Sequence, residues 1–250
     1  MSARGADSRE ATGGLPLVRQ ALAEFLGSAG LVTVVIGSGI AAQRLSPDDV
    51  GLQLLENALA TGAGLVALIL AFGPVSGGHF NPVVTLADRF FGGVTNRHVA
   101  IYLPAQFLGG AVGAVLANLM FDLPAVSISG RDRSAGGLWL SEAVATFGLV
   151  VLIFALVRAG RAALAPFAVG AYIAAAYWWS SSTSFANPMI DLARTLSDTF
   201  AGIAPASVPM FLLMQVVGGA AAVAVVAVLY PTLGAVADAV VIPHDERETP

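Results

Sequence analysis

Six apolar runs separated by short polar stretches order this chain, at about 18–43, 52–72, 99–121, 138–157, 163–179 and 207–230. A bilayer's hydrocarbon core is about 30 Å thick and takes about 20 helical residues to cross. The pattern therefore predicts six transmembrane helices. The first run is longer than the ~7–15-residue core of a signal peptide and carries Glu24 inside it, so it reads as a retained span. Residues 1–14 are polar and charged and are expected to be a disordered tail, and 233–250, ending in His244-Asp-Glu-Arg-Glu248, is expected to be the other tail.

Two further segments break the simple span-and-loop pattern. Ser76-Gly-Gly-His-Phe-Asn-Pro-Val-Val-Thr-Leu-Ala87 follows the second run, and Ser184-Phe-Ala-Asn-Pro-Met-Ile-Asp-Leu-Ala193 follows the fifth. Each places an Asn-Pro pair, Asn81-Pro82 or Asn187-Pro188, ahead of an apolar stretch too short to span a bilayer. Asn is a favoured N-cap, and Pro at the first helical position gives up only an N–H that has no partner there. Both segments are predicted to be re-entrant half-helices that start within the membrane.

The two segments belong to a longer internal repeat. Glu24, Asn81 and Gln106 recur as Glu142, Asn187 and Gln215, at offsets of 118, 106 and 109. The repeats are 15–125 and 138–232, each with three spans and one half-helix. Three spans is an odd number, so the second repeat lies upside-down relative to the first. Inverted repeats with broken helices meeting at mid-membrane mark a solute pathway. Small residues four apart within spans, among them Gly109/Gly113, Gly110/Ala114 and Gly218/Ala222, predict close helix packing.

Two half-helices entering from opposite faces would aim their N-termini at each other, each with about +0.5 of a charge from its dipole. With the Asn81 and Asn187 oxygens spent on their own helices, the amide NH2 groups are expected to face the lumen as donors. That arrangement suits an uncharged oxygen-bearing solute and repels cations.

Composition narrows the classes further. Of 250 residues, 56% are hydrophobic and only 11% charged, too little polar surface for a soluble fold. The absence of Cys removes thiol chemistry and Cys-based metal sites, and no metal or other cofactor is expected. All 12 basic residues are Arg, scattered through loops without a nucleic-acid footprint. With both termini inside, the inner segments hold eight Arg and the outer ones four, so the positive-inside bias predicts cytoplasmic termini.

Gly-Gly-His79-Phe80-Asn81-Pro82 and Phe185-Ala186-Asn187-Pro188 resemble the paired Asn-Pro-Ala loops of the aquaporins, the major intrinsic protein family. Glu24, Glu142, Gln106 and Gln215 also fall where similar proteins have them, so the resemblance covers nearly the whole chain. It implies the aquaporin fold, an all-α membrane protein with six spans and two half-helices in two inverted repeats. It also implies a homotetramer in a lipid bilayer, one pore per subunit, and no enzymatic activity.

The departures from the family pattern concern the solute. Val83 and Met189 stand where the family has Ala, and both are read as pore-centre residues that alter its width. The family's filter Arg directly after the second motif is Ile190 here, with Arg194 four residues on. The other filter positions fall in windows: Ala63 or Thr61 in the second span, Tyr177 or Ala175 in the fifth, and Ser184 in the loop. In this respect the chain resembles bacterial aquaglyceroporins associated with arsenic resistance, which lack the filter Arg and share a segment like Ala193–Ile203. The resemblance implies passive diffusion of glycerol, arsenite and methylated arsenicals together with water across a bacterial plasma membrane. The alternatives are a water-selective aquaporin and an ion-coupled secondary transporter. Glu24, Glu142 and His79 are read as holding the loops, and Asp191, Arg194 and Asp198 as an ion pair or cap near the second half-helix.

Overall fold

The computed structural model describes residues 15–231, so the two expected tails and position 232 of the second repeat lie outside the described residues. Eight α-helices follow in order: α1 Leu17–Leu45, α2 Val50–Ser76, α3 Pro82–Phe91, α4 Asn96–Met120, α5 Gly136–Arg158, α6 Ala165–Trp179, α7 Pro188–Arg194 and α8 Val208–Leu229. Short 3₁₀ turns, Ala162–Leu164 and Pro205–Ser207, lead into α6 and α8. Six helical segments are long and apolar enough to cross a membrane, and no strand occurs among the described residues. α3 and α7 are the two half-helices.

The repeat is visible in the packing. In the first half α1 lies between α2 and α4; in the second α5 lies between α6 and α8. Each half-helix crosses to the other repeat, α7 onto α4 and α3 onto α8, and α2 packs against α6 across the same boundary. Glycines set the closest approaches. A methyl group added at Gly109 or Gly113 of α4 would collide with the Phe25 or Ala29 carbonyl of α1. One added at Gly218 of α8 would collide with the Ala143 carbonyl of α5. Apolar lipid supplies no hydrophobic drive for helix association, and such backbone contact provides dispersion energy in its place.

Val83 and Met189 do not narrow the lumen. Val83 points from α3 into the space left by Gly219, and Met189 points from α7 into the space left by Gly110. Neither lines the central cavity. The residues one step later, Val84 and Ile190, face it instead. The reason is helical geometry: neighbours along a helix sit 100° apart, so only one of the two can face the axis while the other packs on the opposite repeat.

Candidate functional site

The two loops that carry the Asn-Pro pairs share one unusual backbone. φ is positive at Gly77, Gly78 and Phe80 in the first and at Thr183, Ser184 and Ala186 in the second, three positions matched at the same 106-residue offset. For a side-chain-bearing residue the left-handed region costs roughly 1–2 kcal/mol. Phe80 and Ala186 are held there by what their backbone does. The Phe80 and Ala186 N–H groups donate to the Glu24 and Glu142 carboxylates, and their carbonyls accept from Asn187 and Asn81.

The carboxylates clamp these loops. Glu24 accepts from the Ser76 hydroxyl at 2.6 Å, the His79 N–H at 3.0 Å, the Phe80 N–H at 2.8 Å and Gln106 Nε2 at 2.7 Å. Glu142 accepts from the Phe185 N–H at 2.9 Å, the Ala186 N–H at 2.8 Å and Gln215 Nε2 at 2.6 Å. Each glutamine also reaches its own half-helix, Gln106 to Thr85 Oγ1 and Gln215 to Asp191 Oδ1. Both carboxylates are completely buried. A buried charge survives only when its oxygens are hydrogen-bonded, and each of these carboxylates accepts from two backbone N–H groups and from a glutamine side chain.

Asn81 and Asn187 do two jobs at once. Each Oδ1 caps its own half-helix, accepting from Val83 N at 2.9 Å and Met189 N at 3.0 Å. Each Nδ2 donates across the repeat boundary, Asn81 to Ala186 O and Asn187 to Phe80 O, both at 2.8 Å. One N–H of each amide is thus spent on joining the halves, where the sequence had both facing the lumen. The second N–H of each remains, and both residues line the cavity.

That cavity, about 60 Å³, is roomy enough for several waters. Its walls come in repeat-related pairs: Leu31 with Leu149, Val35 with Ile153, Leu65 with Val169, Ile69 with Ile173 and Val84 with Ile190. Among the described residues that line it, the polar side chains are those of Thr61, His79, Asn81, Ser184 and Asn187. No Asp, Glu or Arg is among the described residues that line it.

At the Ile190 end of the cavity the two windows resolve. Thr61 and Tyr177 are buried and share a hydroxyl–hydroxyl hydrogen bond of 3.2 Å; Ala63 and Ala175 are exposed on the outside of the helices. Thr61, Ser184 and Ile190 line the cavity, and Tyr177 stands behind Thr61. Among the described residues the buried Ser184 hydroxyl has no partner, although its backbone N–H is satisfied by Ser182 Oγ. At the opposite end His79 Nδ1 lies 3.0 Å from Thr85 Oγ1 and Nε2 lies 3.5 Å from Asp88 Oδ2.

The acidic residues near α7 do not pair with Arg194. Asp191 takes its hydrogen bond from Gln215, and Asp198 accepts from Gly130 N at 3.1 Å. Arg194 donates through Nε to the Ala201 carbonyl and lays its guanidinium 3.5 Å from the centroid of Phe185. Burial of a long side chain under a loop is not visible in residue spacing. The pore role of Val84 was open to reading, since it is the 106-offset mate of Ile190; the contacts of Phe185 were not.

Six spans, two half-helices from opposite repeats and an uncharged cavity at their meeting point define a membrane channel for small solutes. The chain belongs to the major intrinsic protein family, whose family model matches residues 13–197. Aquaglyceroporin AqpS of Rhizobium meliloti (strain 1021) is 48% identical over 208 residues, covering 83% of this chain and 88% of that protein. Aquaporin-2 of Rattus norvegicus is 37% identical over 143 residues, 55% of this chain and 51% of that one. The X-ray structure of the aquaglyceroporin from Plasmodium falciparum superposes with a TM-score of 0.67 at 20% identity, over 87% of this chain and 99% of that one. At that identity the superposition establishes the fold. The protein is an integral membrane channel, not an enzyme.

Proposed function

We propose that the protein is an aquaglyceroporin-like channel for passive diffusion of glycerol, arsenite and methylated arsenicals together with water. It works as a homotetramer in a bacterial plasma membrane, with both termini cytoplasmic. The observation that carries this reading is Ile190, an apolar side chain lining the cavity at the outer constriction where the family places an Arg. The relative named aquaglyceroporin, alike over most of both chains, supports the polyol part of the reading.

In mechanism, a solute sheds part of its hydration shell on entering a mainly apolar tube and replaces it with a few fixed donors. Thr61 and Ser184 meet it near the outer end, and the spare N–H of Asn81 and Asn187 meets it at the centre. Two half-helix N-termini add positive potential there, which disfavours cations and leaves neutral solutes unaffected. Glu24 and Glu142, occupied by loop donors and by Gln106 and Gln215, hold the loops and do not relay protons.

Solute influx into proteoliposomes across a range of glycerol concentrations tests the reading. A channel gives rates linear in concentration and indifferent to ion gradients. Saturable uptake driven by a proton or sodium gradient would identify a secondary transporter.

A further inference from the structure

The outer mouth carries two arginines that do not touch the lumen directly. Phe185 lines the cavity, and two guanidinium groups lie over its ring: Arg194 at 3.5 Å and Arg133 at 5.0 Å from the centroid. They come from different places, Arg194 from the last turn of α7 and Arg133 from the loop between α4 and α5.

That loop is fixed across the mouth as a strap. Ser127 N donates to Leu196 O, Ser129 N to Thr195 O, and Ala204 N to Arg131 O, so it pairs with the chain following α7. Gly130 N donates to Asp198 Oδ1, and Arg133 N to Ser207 Oγ. The Arg133 guanidinium is therefore placed by backbone, with little freedom to swing into the lumen.

Neither guanidinium touches a carboxylate, although Glu142 acts on both from further off and Asp191 on Arg194. Arg133 donates through Nε to Gly202 O at 3.0 Å, and Arg194 through Nε to Ala201 O. Among the described residues neither has a salt-bridge partner. Burial, with Arg194 and Arg131 close by, pulls the Arg133 pKa down to about 9, so the group remains charged at neutral pH. Arg194 is buried and Arg133 half-buried, so both project their field further than fully exposed charges do and salt screens them less.

We propose that Arg133 and Arg194, stacked on Phe185, form a cation-excluding collar around the outer mouth, set one side chain back from the lumen. The inference rests on the channel reading and adds a specificity device to it. A lumen-facing Arg repels cations and also occupies width. Placing the charge behind Phe185 separates those effects, so that Ile190 leaves space for a broad neutral solute while the field still rejects sodium ions and protons.

Cation leak and glycerol entry are measured in the same proteoliposomes of the full chain, for wild type, Arg133→Gln, Arg133→Met, Arg133→Lys and Arg131→Gln. Met keeps the apolar stem over Phe185 and loses only the charge. The Gln and Met variants should leak sodium and protons at least about tenfold faster than wild type, with glycerol entry within about twofold. The Lys variant and Arg131→Gln, whose guanidinium lies over Phe200 instead, should stay tight. Unchanged leak in both neutral variants, with glycerol entry intact, overturns the collar and leaves the channel standing. Failure of both neutral variants to assemble, while Lys assembles, would make Arg133 a clamp for the strap and also overturn it. A wild-type preparation passing neither glycerol nor water defeats the channel reading, and the collar falls with it.

Discussion

The side-chain amide of Asn187 donates to the carbonyl of Phe80, 107 positions earlier in the chain, at 2.8 Å. Its counterpart, Asn81 to Ala186 O, is the same bond with the repeats exchanged. The two bonds join the half-helices back to back, and they require Phe80 and Ala186 to sit at positive φ so that their carbonyls turn toward the opposite repeat. Capping alone would need only the Asn oxygen.

Replacing either Asn by Asp keeps the cap and removes the cross-link. The carboxylate oxygen that replaces Nδ2 then faces the Phe80 or Ala186 carbonyl oxygen, which loses the N–H it accepted from. Asn187→Asp is expected to cost about 2–4 kcal/mol, from a lost hydrogen bond and an unpaired buried charge. It should lower the thermal midpoint in detergent and admit cations. A variant with unchanged midpoint and no leak would make the cross-link incidental.

Glu142 receives three N–H donors, so its isostere is a sharp test of role. Glu142→Gln turns an NH2 toward at least one of Phe185 N, Ala186 N and Gln215 Nε2. One buried donor is left unsatisfied, at about 1–3 kcal/mol. Thermal stability should fall, with residual glycerol flux still linear and uncoupled. A proton-coupled flux that this substitution abolishes would show the carboxylate to be a relay.

Asp191 is a different case. It occupies the place held by Thr85 in the first repeat, shares the Gln215 donor with Glu142, and leaves Oδ2 buried without a hydrogen-bond partner among the described residues. Asp191→Asn removes a like charge beside Glu142 and keeps an acceptor for Gln215. The thermal midpoint is expected to rise, and a fall would show that Arg194, which acts on Asp191 without touching it, outweighs the repulsion from Glu142.

Val83 and Met189 separate packing from permeation. Met189→Ala opens a hole beside Gly110 and is expected to cost about 2–5 kcal/mol. Val83→Ala removes less volume beside Gly219 and should cost less. Both should leave the ratio of glycerol to water permeability unchanged, whereas Val84→Ala should raise it, because Val84 lines the cavity. Stopped-flow light scattering on all three variants checks this.

Much of this architecture was written in residue spacing. Six runs of bilayer length marked the spans, and the 106-residue echo of Asn-Pro marked the half-helices. The pairs Glu24/Glu142 and Gln106/Gln215 could be matched because a buried carboxylate inside an apolar run has few uses. What spacing did not show was direction. Asn-Pro-Val and Asn-Pro-Met indicate bulk at the motif's third position, but which way that bulk points depends on Gly219 and Gly110, more than 75 residues away in each case. Likewise Thr61 and Ala63 sit two apart on one helix, and only the contact of Thr61 with Tyr177 separates them. Arg133 looked like an ordinary loop charge, because nothing local ties that loop to the chain after α7.

The most direct test of the account compares water, glycerol and neutral arsenite permeability of wild type and Ile190→Arg in matched proteoliposomes by stopped-flow light scattering. An apolar, Arg-free constriction predicts rapid entry of all three in wild type. Ile190→Arg should cut glycerol and arsenite by about tenfold or more, as several contacts and much of the width are lost, and water by far less. Wild type that passes water while excluding glycerol and arsenite, or a substitution that slows all three equally, would contradict it.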